Sequence, residues 1–133
     1  MSDERVTRLR HQIVRAFEDV PNPGDVIEAH IDIDSTDVND IEGFRSCFLM
    51  KTWRSCEAFD LDCHWDLINT LTDSGFRYWV PAFMLHMFDP SSANGLIPTA
   101  IAHRSGQQGT MEQFSESERT SVFAFLEFFD ENT

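Results

Sequence analysis

Residues 75–88, Gly-Phe-Arg-Tyr-Trp-Val-Pro-Ala-Phe-Met-Leu-His-Met-Phe, form the most apolar and most aromatic run of the chain, close to its middle. A run this dense in large apolar side chains gains too much from burial to stay in water. The rest of the chain is therefore expected to pack around it as a central helical element. Arg77 is its only permanently charged residue. A lone guanidinium in such a run must find acceptors wherever it is buried. The position of Pro81 predicts a short turn of helix at 75–80 joined to a longer helix at 81–88. Pro81 would then stand in a first turn, where its missing N–H costs nothing. A single kinked helix over 75–88 is the other reading.

The flanks read as helices. Val6, Leu9, Ile13, Phe17 and Val20 recur at steps of three and four, which predicts a helix over 4–19, ended by Pro21-Asn22-Pro23-Gly24. Residues 26–36 alternate Ile31 and Ile33 with aspartates. With no second strand in sight, they are read as an extended acidic loop holding at most one marginal short strand. Asp37 or Ser35 caps a helix over 38–49. Ser55 caps another, with Phe59, Cys63, Leu67 and Leu71 as its apolar stripe and Leu61 and Ile68 beside it; Asp73-Ser74-Gly75 ends that helix and begins the central stretch. Leu96–Ala102 reads as a short helix or turn. Ser115 with Glu118 three residues on is a capping box that opens the last helix, whose Val122, Phe123, Phe125, Leu126, Phe128 and Phe129 make a wide apolar surface. The expected fold is mainly α: one compact domain over 1–133, five or six helices around the central aromatic one, with mobile loops at about 22–36 and 103–111. At 133 residues such a domain needs no metal or disulfide staple.

Charge narrows the partners. The net charge of −13 is uneven: residues 21–45 carry seven acids against one base, whereas residues 76–110 are nearly neutral. Phosphate would be repelled, so direct nucleic-acid binding is not expected. No apolar run approaches the ~20 residues of a membrane span. Residues 1–20 lack the apolar centre of a secretory signal, and three cysteines in no paired pattern point to free thiols in the cytoplasm.

Motifs for chemistry are missing. Cys47, Cys56, Cys63 and His64 lack the close Cys pairs of structural zinc sites and are read as small buried residues, so no metal is expected. Asp32–Asp37 lacks the glycine and distal Glu of a calcium loop. No glycine-rich phosphate loop is present, and no cofactor is expected. Nothing in the sequence joins Cys47 or Cys63 to His86 or His103 as a nucleophile pair. What remains is Arg77 with Tyr78, Trp79 and His86. These four are either a pocket that grips an anion between aromatic walls, or an arginine whose fork satisfies carbonyls or a carboxylate inside the fold.

Phe76-Arg77-Tyr78-Trp79-Val80-Pro81-Ala82-Phe83 resembles the F-R-Y-Y/W-L/V-P-A-Y/F signature of a family of small bacterial proteins of uncharacterised function. Ala16-Phe17 before Pro21, Pro23 and Gly24, the lone Trp53, and Glu116–Arg119 leading into Val122–Leu126 are similar to its opening break, its middle and its closing helix. Trp79 stands where a second Tyr is commoner and Val80 where Leu is; both keep bulk. The resemblance implies a compact, mainly helical bacterial domain and no particular reaction.

From charge and the missing catalytic set, the first functional expectation is a non-enzymatic interaction or regulatory protein that neutralises a basic protein partner. The second is an enzyme or small-ligand binder with its site around Arg77, Tyr78 and His86. The third is a homo-oligomer built on the last helix.

Overall fold

The computed structural model describes residues 3–90, 92 and 94–131. Six α-helices account for most of it: α1 (Asp3–Phe17), α2 (Val38–Cys47), α3 (Ala58–Cys63), α4 (Asp73–His86), α5 (Leu96–Ser105) and α6 (Glu116–Glu131). Three 3₁₀ segments fill the joints, at Ile27–Ala29, Ile33–Ser35 and Trp65–Asn69. Among the described residues there is no β-sheet, only the single antiparallel bridge between Ile31 and Leu71. Among the described residues, no helix is long and apolar enough to cross a membrane.

The central helix is one piece. Thr72 caps it, its Oγ1 accepting from the Gly75 amide at 2.9 Å. It then runs unbroken through Pro81 to His86. The expected division at Pro81 is therefore corrected. The proline forfeits a backbone hydrogen bond, but every residue from Tyr78 to Met84 is buried, and that burial outweighs the loss. Asp73-Ser74-Gly75, read as ending one helix and beginning the central stretch, lies wholly in α4. Around it α1, α3, α5 and the third 3₁₀ segment pack directly, while α1 also pairs with α6.

Local signals hold at the two ends. Leu9, Ile13, Phe17 and Val20 of the predicted stripe are buried. The capping box of α6 is made in both directions: the Glu118 amide donates to Ser115 Oγ, and the Ser115 amide to Glu118 Oε1, each at 3.2 Å. Asp37 caps α2 by accepting from the Asn39 amide.

The joints differ from expectation. Residues 26–36 form two 3₁₀ turns rather than an extended loop, and Ile27, His30 and Ile31 are buried. The partner that sequence could not supply is the chain before α4: the Asp32 amide donates to the Thr70 carbonyl at 2.8 Å, and the Thr72 amide to the His30 carbonyl at 2.9 Å. The stripe of α3 is also corrected. That helix stops after six residues, leaving Phe59 74% exposed and Cys63 at the surface. A step of four no longer tracks one face once the chain tightens to three residues per turn, so Leu61, Leu67, Ile68 and Leu71 are the ones buried. Ser55 caps no helix; its hydroxyl bonds the Thr52 carbonyl. Helix α5 extends to Ser105, into the stretch read as a loop from 103, and Thr110 and Met111 beyond it are buried.

Candidate functional site

Helix α4 distributes the four residues singled out in the sequence to different neighbours. Arg77 turns to α6, where Nε lies 2.7 Å from Glu118 Oε1 and Nη2 3.0 Å from Oε2. Glu118 is buried, and it also serves the capping box. Burial pushes its carboxyl up, but the bonds from Arg77 and Ser115 outweigh that and hold it below the ordinary carboxylate range. Arg77 is thus a tie between α4 and α6. Cutting it to alanine leaves Glu118 buried without its counter-charge, which costs about 3 kcal/mol. The expected drop in melting temperature is about 10 °C, read by thermal denaturation. An unchanged Tm would return Arg77 to the list of free binding groups.

Trp79 faces the other way, into a cluster with His30, Phe44 and Phe48, whose ring centroids lie 5.5–6.0 Å from its own, and Phe83 packs on Phe48. Its indole Nε1 donates to His30 Nδ1 at 3.0 Å. That bond assigns the tautomer: Nδ1 accepts, so Nε2 carries the proton and donates to the Gly24 carbonyl at 2.7 Å. Gly24 itself holds a φ of +140°, which a residue with a Cβ rarely adopts. Burial lowers the His30 pKa from its ordinary value, against the smaller opposing effects of Gly24 and Asp25. The folded value lies below the unfolded one, so the contribution of neutral His30 is complete above about pH 6.5 and is lost as pH falls below it. NMR of the ring nitrogens at pH 6 is expected to show His30 still in its Nε2–H form; half-protonation near pH 6.5 would contradict this. Tyr78 is buried edge-on against Trp79, at 4.9 Å between ring centroids.

His86 reaches a surface cleft. Its Nε2 lies 2.7 Å from Asp62 Oδ1 on α3, and Asn94 fixes the same aspartate by donating to its backbone carbonyl at 3.1 Å. The four residues therefore do not share one pocket: Arg77 is on the α6 side and His86 on the α3 side of the helix.

The cavity beside His86 is a cleft of about 540 Å³ between α1, α4 and residues 53–58. Its lining is mixed: Val14, Trp53, Leu61, Ala82, Leu85 and Phe88 give it apolar patches beside charged and polar groups. Arg10 and Arg54 stand at its rim, with Asp89 as the acid there. The Arg54 guanidinium lies over the Trp53 ring, 4.9 Å from its centroid. Both arginines are exposed, and neither forms a salt bridge among the described residues. Cys56 also lines the cleft, but burial pushes its thiol up to about 12. It is thus a neutral thiol at physiological pH and no nucleophile.

Sequence reasoning missed Arg10, Trp53, Arg54 and Asp62 as neighbours of His86. The Trp53-Arg54 pair in a connector was the one visible signal. No family model, no curated protein and no solved structure matches the chain.

Proposed function

We propose that this chain binds a small amphipathic anion in the cleft beside His86, without transforming it. The ligand class is a carboxylate or phosphate monoester on an apolar or aromatic body. The observation that carries this reading is the pair of arginines, outside any salt bridge described above, at the mouth of a cleft with apolar patches in a protein of net charge −13. The chain as a whole carries an excess of negative charge; here two guanidiniums offer an anion forked donors. The volume lies in the range usual for small-molecule sites.

A thermal-shift series tests it, with benzoate, 2-naphthoate, phenyl phosphate and octanoate as probes. A ligand that binds only the folded state must raise Tm, by the equivalent of about 2.7 kcal/mol at a hundredfold excess over Kd. The naphthoate is expected to raise Tm saturably, its neutral amide less, and the Arg10→Gln/Arg54→Gln double variant not at all. If no probe raises Tm, or the double variant responds like the parent, the reading is overturned.

A second reading is a protein interaction through acidic surface, and one observation favours it. Burial, followed by the charges of Asp66 and Asp37, raises the Asp40 pKa, so three acids from two segments lie within electrostatic reach of one another. A basic partner recognised there would be retained at low salt and released at high salt. Retention indifferent to salt would contradict it.

A further inference from the structure

Away from the cleft, the end of α2 and the junction after α3 bring three different ligating groups together. One ligating atom each from Cys47, Asp60 and His64 lie within 4.8 Å of one another, and all three residues are half-buried, so solvent reaches them. The approach is built into the backbone. A Cβ added at Gly43, one turn before Cys47, would stand 2.5 Å from His64 Nε2. The imidazole therefore sets its Nε2–Cδ2 edge against α2 at Gly43, a place only glycine leaves open. His64 Nδ1 is 2.9 Å from the Asp60 carbonyl oxygen. A carbonyl only accepts, so Nδ1 carries the proton and Nε2 keeps its lone pair. A backbone acceptor on the far nitrogen is how proteins orient a metal-bound histidine.

We propose that Cys47, Asp60 and His64 form a binding site for a divalent metal of the zinc class, with a fourth position open to water. The donor set decides the class. A thiolate and an imidazole with one carboxylate suit Zn²⁺, whereas Ca²⁺ and Mg²⁺ take oxygen. Tetrahedral bonds of ~2.0–2.3 Å place ligand atoms about 3.5 Å apart, so the three groups close by about 1 Å on binding. The Cys47 thiol gives its proton to solvent as the sulfur–metal bond forms. Burial raises its pKa, as do the hydrogen bond and charge of Asp60 and the nearby Cys63, with Lys51 opposing them; a dication cancels that penalty. Lys51 Nζ stands 3.6 Å from Asp60 Oδ2 and is the competing cation. Its flexible stem lets it swing into solvent. Asp40 lies within electrostatic reach of His64 and adds to the negative field.

The test is titration of chelator-treated protein with Co²⁺ near neutral pH, followed by displacement with Zn²⁺. The expected result is one Co²⁺ per chain with a thiolate-to-cobalt charge-transfer absorption that Zn²⁺ removes. Cys47→Ser is expected to abolish that absorption with the far-UV circular dichroism unchanged. Gly43→Ala, which displaces His64 without touching a ligand, is expected to weaken Zn²⁺ binding about 10–100-fold. Cys56→Ser is expected to bind as the parent does. No saturable absorption at tens of micromolar Co²⁺, or an absorption that survives Cys47→Ser, overturns the proposal.

Discussion

Replacing Arg104 with methionine is expected to remove about 3–5 kcal/mol of stability, a large part of what a domain of this size possesses. The reason lies in what the guanidinium holds. Arg104 is buried on α5, and its Nη1 donates to the carbonyls of Ile68, Asn69 and Leu71 at 3.3, 3.4 and 2.6 Å. Nη2 donates to Asp73 Oδ1 at 2.9 Å, and the group lies over the Phe76 ring. One side chain thus closes the end of the third 3₁₀ segment and the start of α4. Methionine keeps the volume but leaves those carbonyls without a donor, and buried acceptors without a partner are costly. Arg104→Lys is expected to recover little, since a single ammonium cannot span the same acceptors. Urea denaturation measures both; a methionine variant within about 1 kcal/mol of the parent would falsify the clamp.

Gly75→Ala is the second large effect, and its sign is the informative part. Within a helix, glycine to alanine ordinarily stabilises by about 1 kcal/mol. At Gly75 the added Cβ would collide with the His30 carbonyl oxygen and stand 3.0 and 3.1 Å from its carbonyl carbon and Cα. These are backbone atoms and cannot turn aside. The same carbonyl accepts from Thr72, and His30 accepts from Trp79, so displacing it loosens the bridge and the aromatic cluster together. Overpacking costs about 1–3 kcal/mol and each lost hydrogen bond about 1 kcal/mol more. The net expectation is a loss of about 2–4 kcal/mol in urea denaturation. A variant more stable than the parent would show that the segment around His30 does not lie on α4.

These two positions also show where the sequence could be read and where it could not. The stripe of α1 and the capping box of α6 are local patterns, and the structure keeps both. The mainly α fold followed from such patterns. Arg104 looked like a polar residue in a loop because its acceptors lie 31–36 residues away and are mostly backbone oxygens. His30 gave no signal because its partner Trp79 is 49 positions distant. Glu118 was recognised as a cap, but its second role, holding Arg77, spans 41 positions. Pro81 misled in the opposite way: the local rule is to break, and the buried surroundings of α4 override it. The cleft needed three segments to be placed before Arg10, Arg54 and His86 could be seen together.

The binding cleft is tested most directly through its own tryptophan. The chain has three tryptophans, hence three indole N–H signals in a nitrogen–proton correlation spectrum. Trp53 lines the cleft, while Trp79 lies in the core against His30. Titration with 2-naphthoate is expected to shift the Trp53 signal saturably, leave the Trp79 signal in place, and have no effect on Trp53 in the Arg10→Gln/Arg54→Gln variant. A Trp53 signal that stays still at millimolar ligand, or that moves equally in the variant, would contradict an anion site in the cleft.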